Sequence, residues 1–364
     1  MDTFAFIIHP IDPKRDVSRK YPLLGKLFNE KQIDLLCALF PPVFISEING
    51  VRSIATSKQI KGWFIACPLT PARMLSLPER SAYHKIIQSG RVAEKLGAMI
   101  LGLGAFTSIV GDGGITIARE LDIPVTTGDA YTVSIAVEAV RSAAQAVGIP
   151  IQQATAAVVG ASGSIGRICA ELLAGEVAEL YLVGRRLDRL QELQRAIQAS
   201  AYPHECTARL HTGTDLKVLQ KAHLVITVTS ALHTIVKPEH LRPGSVVCDV
   251  ARPRDVSASV AASRQDVLVI DGGMVEVPGN VNFNFDFGYP PGKAYACMAE
   301  TMALALEGRF EDYTLGKSFD RRHVEEIAEI AARHGFRLSG FRSFERQVTE
   351  AQIDQARRYA QEYL

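Results

Sequence analysis

Three glycines at the spacing G-x-x-G-x-x-G, namely Gly160, Gly163 and Gly166, follow a β-branched run, Ala156-Ala157-Val158-Val159. After them, residues 165–173 carry apolar side chains at helical spacing, and Leu180-Tyr181-Leu182-Val183 returns as a second short apolar run. A dinucleotide pyrophosphate needs a tight turn, a close backbone approach and a helix N-terminus aimed at it. Glycines between a strand and a helix supply all three. Without that flanking context such a triplet is an ordinary strand-to-helix turn; with it, Gly160-Ala161-Ser162-Gly163-Ser164-Ile165-Gly166 reads as a phosphate-binding loop of Rossmann type.

The second strand ends in Gly184-Arg185-Arg186, where an NAD-selective domain presents Asp or Glu to the ribose 2′-hydroxyl. The acid is missing, and two guanidinium groups match a phosphate in charge and geometry, so Arg185 and Arg186 are read as holding the 2′-phosphate of NADPH. Arg189 is a weaker candidate one turn later, and a solvated basic turn is the alternative for all three. Thr229-Ser230-Ala231 closes the next clear strand and is expected near the nicotinamide, because ligands of such sheets bind beyond the carboxyl ends of the strands.

Further strands at 224–228, 246–250 and 267–270 alternate with helical stretches, the pattern of an α/β fold with a parallel sheet. The expected organisation has three parts. Residues 1–133 form an N-terminal α/β substrate domain, and 134–280 form the Rossmann domain, entered by a connecting helix at 134–147. Residues 281–364 form a C-terminal helical segment that packs back on the N-terminal domain. At 364 residues and 47% hydrophobic content each domain can bury its own core. A net charge of +1 gives no global field for nucleic acid, so no nucleic-acid partner is expected. The six cysteines, Cys37, Cys67, Cys169, Cys206, Cys248 and Cys297, form no CxxC pair; they read as free thiols of a cytoplasmic protein, with no metal site. No apolar run approaches a membrane span, and the opening Met1-Asp2-Thr3-Phe4 lacks the basic start of a signal peptide.

A helix starting near Ala294 places Cys297 in its first turn, where unpaired N–H groups and the helix dipole favour a thiolate. A small buried core residue is the other reading of a helical cysteine, and position alone favours it. Cys37 and Cys67 face the same alternative with less against it. Glu300, one turn on, is either a proton-exchanging group or an ordinary helix-stabilising glutamate. His9, at the end of the first expected strand, is a candidate acid or a structural histidine. Lys293 either neutralises a phosphate or oxyanion or is simply solvated. The five glycines between 102 and 114, around Phe106, let backbone approach a substrate or form a packed turn.

Several segments together resemble the long-chain acyl-acyl carrier protein reductases of cyanobacteria, which form fatty aldehydes. They are Asp16-Val17-Ser18-Arg19, Gly104-Ala105-Phe106-Thr107-Ser108-Ile109, Thr126-Thr127-Gly128 with Thr132, and the cofactor loop. Further along come Asp271-Gly272-Gly273-Met274-Val275-Glu276, Ala296-Cys297-Met298-Ala299-Glu300, Leu306-Glu307-Gly308 and His334-Gly335-Phe336. The resemblance implies that Cys297 is the acyl-accepting nucleophile. It also implies NADPH-dependent reduction of an acyl carrier protein or coenzyme A thioester to an aldehyde. The chain departs from the family in its longer tail after Arg337, in Asp129 where the family turn carries Asn, and in Tyr131 where a His is usual. An acyl thioester substrate allows a peripheral membrane contact, and a homo-oligomer is left open. Lys14, Arg15, Arg19 and Lys20 form a basic cluster that either meets an acidic carrier protein or is a solvated face.

Two other readings stand beside this one. An NADP-dependent alcohol or ketone oxidoreductase similar to shikimate dehydrogenase shares the two-domain plan and has no need of Cys297. A non-catalytic NADPH-binding subunit is the third, since a fold does not fix function.

Overall fold

Short apolar runs alternating with helices build two six-stranded sheets, each within its own unit of the chain. The computed structural model describes residues 1–199, 206–316 and 319–363. Residues 1–131 and 275–337 form one unit; residues 132–274 and 338–364 form the other.

In the first unit β1 (Asp2–Ile8) is central, with Phe4 to Ile7 almost wholly buried. Three helices follow, α1 (Pro13–Lys20), α2 (Pro22–Leu27) and α3 (Glu30–Leu39). Asp12 caps α1 by accepting the Arg15 N–H, and Asn29 with Gln32 forms a capping box at α3. The strands β2 (Val43–Arg52) and β3 (Gln59–Ala66) pair antiparallel. Then come α4 (Pro71–Ser76), α5 (Glu79–Lys95), β4 (Leu101–Leu103), α6 (Phe106–Ile109), α7 (Ile115–Glu120) and β5 (Val125–Thr126). β1 pairs parallel with both β3 and β4, so its side chains fill both faces of the sheet.

The helix α8 (Asp129–Val147) starts five residues before the expected 134 and carries the chain into the second unit. There β6 (Thr155–Val159), α9 (Ser164–Leu173), β7 (Glu179–Val183), α10 (Leu187–Gln198), β8 (Arg209–Gly213), β9 (Leu224–Thr227), β10 (Val246–Asp249), α11 (Ala258–Ser263) and β11 (Leu268–Asp271) follow in turn. Every pairing is parallel, and the order β11-β10-β9-β6-β7-β8 is the doubly wound Rossmann order, with its switch point between β6 and β9. All four residues of β9, of β10 and of β11 are buried, which is why these runs read as strands in sequence. β8 did not: it is an edge strand with one fully buried residue, Leu210.

β12 (Met274–Glu276) leads out of this unit, and β13 (Gly279–Asn282) joins the first sheet beside β2. β14 (Lys293–Tyr295) precedes α12 (Ala296–Glu307), which packs on β1, β4 and α13 (Arg321–His334) of the same unit. The tail differs from the expected single segment 281–364. Residues 338–364 belong to the second unit, where α14 (Glu350–Tyr363) buries Ile353, Ala356 and Ala360. There Arg357 Nε donates to the Ala146 carbonyl at 2.9 Å, and Gly244 leaves room for the Ala360 backbone. Mixed charge on the outer face of α14 concealed this apolar stripe.

Candidate active site

The glycine loop takes the shape a dinucleotide phosphate requires. Gly160 has φ +89°, and a Cβ there would lie 2.6 Å from the Val228 carbonyl oxygen. A Cβ on Gly166 would overlap the Gly160 carbonyl, so only glycine lets α9 close on the end of β6. Gly163 N-caps α9, leaving its first N–H groups aimed out past the exposed Ser162 and Gly163. Ala161 is buried and its N–H, like that of Gly160, donates to the Val183 carbonyl, which ties the loop to β7. Ser164 and Ile165 open the helix.

Beyond β7, Gly184 donates its N–H to Gly213 at 3.2 Å, and Arg185 and Arg186 are exposed. Arg186 reaches Asp188 at 2.6 Å, and Arg189 reaches Glu192 at 2.8 Å. Both pairs are solvent-facing contacts of little strength, so the guanidinium groups can turn to a phosphate.

Sequence reasoning missed the carboxylates at the ends of β10 and β11. Asp255 accepts from the Thr229 N–H at 2.9 Å and from its hydroxyl at 2.5 Å, fixing Thr229 where the nicotinamide end was expected. Ser230 beside it is exposed, and the Ala231 N–H donates to Thr229 Oγ1. Burial holds the Asp255 carboxyl up at about 6. Asp249, also raised by burial, accepts from Thr227 Oγ1 and from the Ala251 and Val256 N–H groups. Burial also acts to raise Asp271, but Arg254 and Arg252 hold it below the usual carboxylate range. The signal available was an acid closing each of two apolar strands, Asp249 and Asp271.

In the first unit Cys297 is the second residue of α12, with Tyr295 at the N-cap. Gly128, φ +76°, lies against it so closely that a Cβ would overlap Cys297 Cα and Cβ. The residue as a whole is half-buried, and burial of the thiol pushes it up to about 12; the Met298 N–H opposes this, whereas Asp129 and Glu300 reinforce it. The resting group is therefore a thiol, not the thiolate expected from the helix dipole alone. Burial and two acids outweigh the helix end.

Glu300 is fully buried. Its Oε1 accepts from Thr126 Oγ1 at 2.5 Å and Thr314 Oγ1 at 2.7 Å, and its Oε2 accepts the Tyr131 N–H at 2.8 Å. Burial raises its pKa against these bonds. The carboxylate thus pins the Thr126–Tyr131 turn, Gly128 included, to the helix that carries Cys297. This is not an ordinary helix-stabilising glutamate: a turn that is invisible in local sequence supplies the donors.

His9 follows β1. Its Nε2 accepts the Phe106 N–H at 3.0 Å, and burial lowers its pKa to about 4, so it is neutral with its lone pair in use. That bond anchors the Gly104-Ala105-Phe106 turn, where Ala105 is held at φ +44° and Phe106 is fully buried. The glycine-rich segment begins in β4, where a Cβ on Gly102 would overlap Thr301 Oγ1 of α12, so that glycine serves packing. Lys293 lies in β14, four residues ahead of Cys297 and half-buried. Among the described residues no cluster of three His, Cys, Asp or Glu side chains is arranged to hold a metal.

Residues 141–272 match the family model for shikimate / quinate 5-dehydrogenase. Over 312 residues the chain is 29% identical to the long-chain acyl-[acyl-carrier-protein] reductase of Synechococcus elongatus, covering 81% of this chain and 87% of that protein. The chain is similar to oxidoreductases. It is also 31% identical over 308 residues to the protein named aminotransferase PigE of a Serratia species, covering 84% of this chain and 35% of PigE, so it spans about a third of that relative. Among solved structures, L-tryptophan dehydrogenase from Nostoc punctiforme aligns with a TM-score of 0.42 and 13% identity, covering 100% of this chain and 88% of that one.

Proposed function

We propose that the protein reduces a fatty acyl thioester, carried on acyl carrier protein or coenzyme A, to an aldehyde through an acyl-Cys297 intermediate. NADP(H) is the cofactor. The observation that carries the reading is the place of Cys297 as second residue of α12, with the backbone of Gly128 closed against it. The likeness to an acyl-acyl carrier protein reductase over most of both chains supports it.

Cys297 Sγ attacks the thioester carbonyl, forming one C–S bond as the bond to the carrier sulfur breaks. The sulfur attacks as the thiolate, and the proton it gives up ends on the departing carrier sulfur, so the exchange is proton-neutral overall. The Met298 N–H, directed at the sulfur, favours its anionic form as the bond makes and breaks. When bound, NADPH supplies a hydride to the acyl carbonyl. Cys297 then leaves with its bond electrons, releasing the aldehyde, and regains a proton from water. One thioester, one hydride and one proton give one aldehyde and one free thiol. Glu300 and His9 act as positioning residues, the first through the Thr126–Tyr131 turn and the second through the Ala105 turn. Lys293 stands ahead of the helix as the candidate cation for the oxyanion.

Cys297→Ser is expected to abolish aldehyde formation while NADPH binding persists; full activity in the variant would end the mechanism. The dehydrogenase match favours a second reading, an NADP-dependent alcohol or ketone oxidoreductase, because residues 141–272 exclude Cys297. Alkylation of Cys297 separates the two, since it blocks only a thioester-dependent oxidation of NADPH.

A further inference from the structure

Large apolar side chains are concentrated on the surface of the α1–α3 segment. Leu23 and Leu27 on α2 are 69% and 74% exposed, and Leu35 and Leu39 on α3 are 55% and 75% exposed. Each pair is spaced four residues apart, so each projects from one face of its helix. Phe40 and Phe44, just beyond α3, are exposed as well. The inner faces of these helices are occupied: Ile33 is buried, α2 and α3 both pack on α1, and Gly25 leaves room for Ser18. The outward leucines therefore have no part in holding the fold together.

The charges of the segment are sorted. Asp16 accepts the Ile11 and Asp12 N–H groups and pairs with Arg15 and Arg19, while Asp34 is taken by Thr70 and Arg73. Exposed Lys14, Lys26 and Lys31 have no ion pair among the described residues, and exposed Glu30 and the α1 cap Asp12 are the acids left against them. On α2, Leu23, Lys26 and Leu27 fall at i, i+3 and i+4, and on α3, Lys31, Leu35 and Leu39 fall four apart, so each helix sets a lysine beside its exposed leucines. We infer that α2 and α3 dock this protein on the surface of an anionic lipid bilayer, the leucines entering the acyl boundary and the lysines meeting the headgroups. A second copy of the chain fits less well, because a two-fold contact through this face would bring its lysines together. An acidic protein would answer the lysines, but it would also need a pocket for each protruding leucine, whereas a bilayer needs none. This inference is independent of the chemistry at Cys297.

The test is co-sedimentation of the full chain with vesicles. The wild type is expected to pellet with vesicles of equal parts phosphatidylcholine and phosphatidylglycerol, and about tenfold less on phosphatidylcholine alone or at high salt. The variant Leu23→Ser/Leu27→Ser/Leu39→Ser, altered only at exposed positions, should lose vesicle binding by about tenfold or more while keeping its melting temperature and NADPH affinity. Lys26→Glu/Lys31→Glu should lose the preference for phosphatidylglycerol. Equal pelleting of wild type and the leucine variant would overturn the inference. So would a wild type that stays in the supernatant and instead forms a dimer, or a carrier-protein complex, that the leucine variant cannot form. A failed thioester reaction with intact vesicle binding would count against the proposed function alone.

Discussion

The glycine loop proposed for the dinucleotide and the turn against the proposed nucleophile Cys297 use one device, a glycine whose missing Cβ lets backbone touch, yet they differ in where its partner lies. Gly166 closes on Gly160 within a single loop, whereas Gly128 closes on Cys297 from nearly half the chain away. The first contact is local and needs only a strand and a helix. The second depends on Glu300 holding a turn to a distant helix, so damage at one site should leave the other working.

The largest effects break the comparison at its two ends. Cys297→Ser should lower aldehyde formation from an acyl thioester by at least ~10³-fold, with NADPH affinity unchanged in fluorescence titration. Gly166→Ala should do the reverse: overlap with the Gly160 carbonyl costs about 1–3 kcal/mol, weakening NADPH binding roughly tenfold or more while Cys297 still accepts an acyl group. If either substitution impaired both functions equally, the two sites would not be separable.

Gly128→Ala sharpens the picture. Its φ of +76° and its contact with Cys297 should slow acyl loading about tenfold or more, at a strain of about 1–3 kcal/mol. Replacing Arg185 and Arg186 together by Ala should weaken NADPH binding roughly tenfold and leave NADH nearly unaffected, because only NADPH carries the 2′-phosphate. Equal losses would remove these arginines from the phosphate site.

The smallest effect is one of pH. Burial lowers His9 in the first unit and His223 in the second to about 4 from 6.5, so the unfolded chain binds protons there first. Their contribution is fully present above pH 6.5 and is lost as pH falls towards 4. His9→Gln, which keeps an acceptor for the Phe106 N–H, should flatten part of the fall in melting temperature over that window. An unchanged slope would show that His9 is not buried neutral.

The same contrast explains what could be read from sequence. The second unit was legible because its inner strands are buried on both faces and stand out as unbroken apolar runs. Its edge strand β8, with one fully buried side chain, left no such trace. Cys297 was singled out by resemblance, since its helix position alone favoured a core residue, and its surroundings left no trace in the sequence. Glu300 looks like any surface helix glutamate until Thr126, Tyr131 and Thr314 converge on it. The protonated state of Cys297 was hidden for the same reason, since burial and the acids Asp129 and Glu300 come from the tertiary fold. His9 offered a titratable ring at a strand end, and only the folded Ala105 turn shows why it is there.

The most direct measurement is the intact mass of the protein after incubation with a long-chain acyl thioester in the absence of NADPH, followed by peptide mapping. One acyl group on Cys297, discharged as aldehyde when NADPH is added, is the expected result. An unmodified Cys297 in protein that still oxidises NADPH with that thioester would contradict the account.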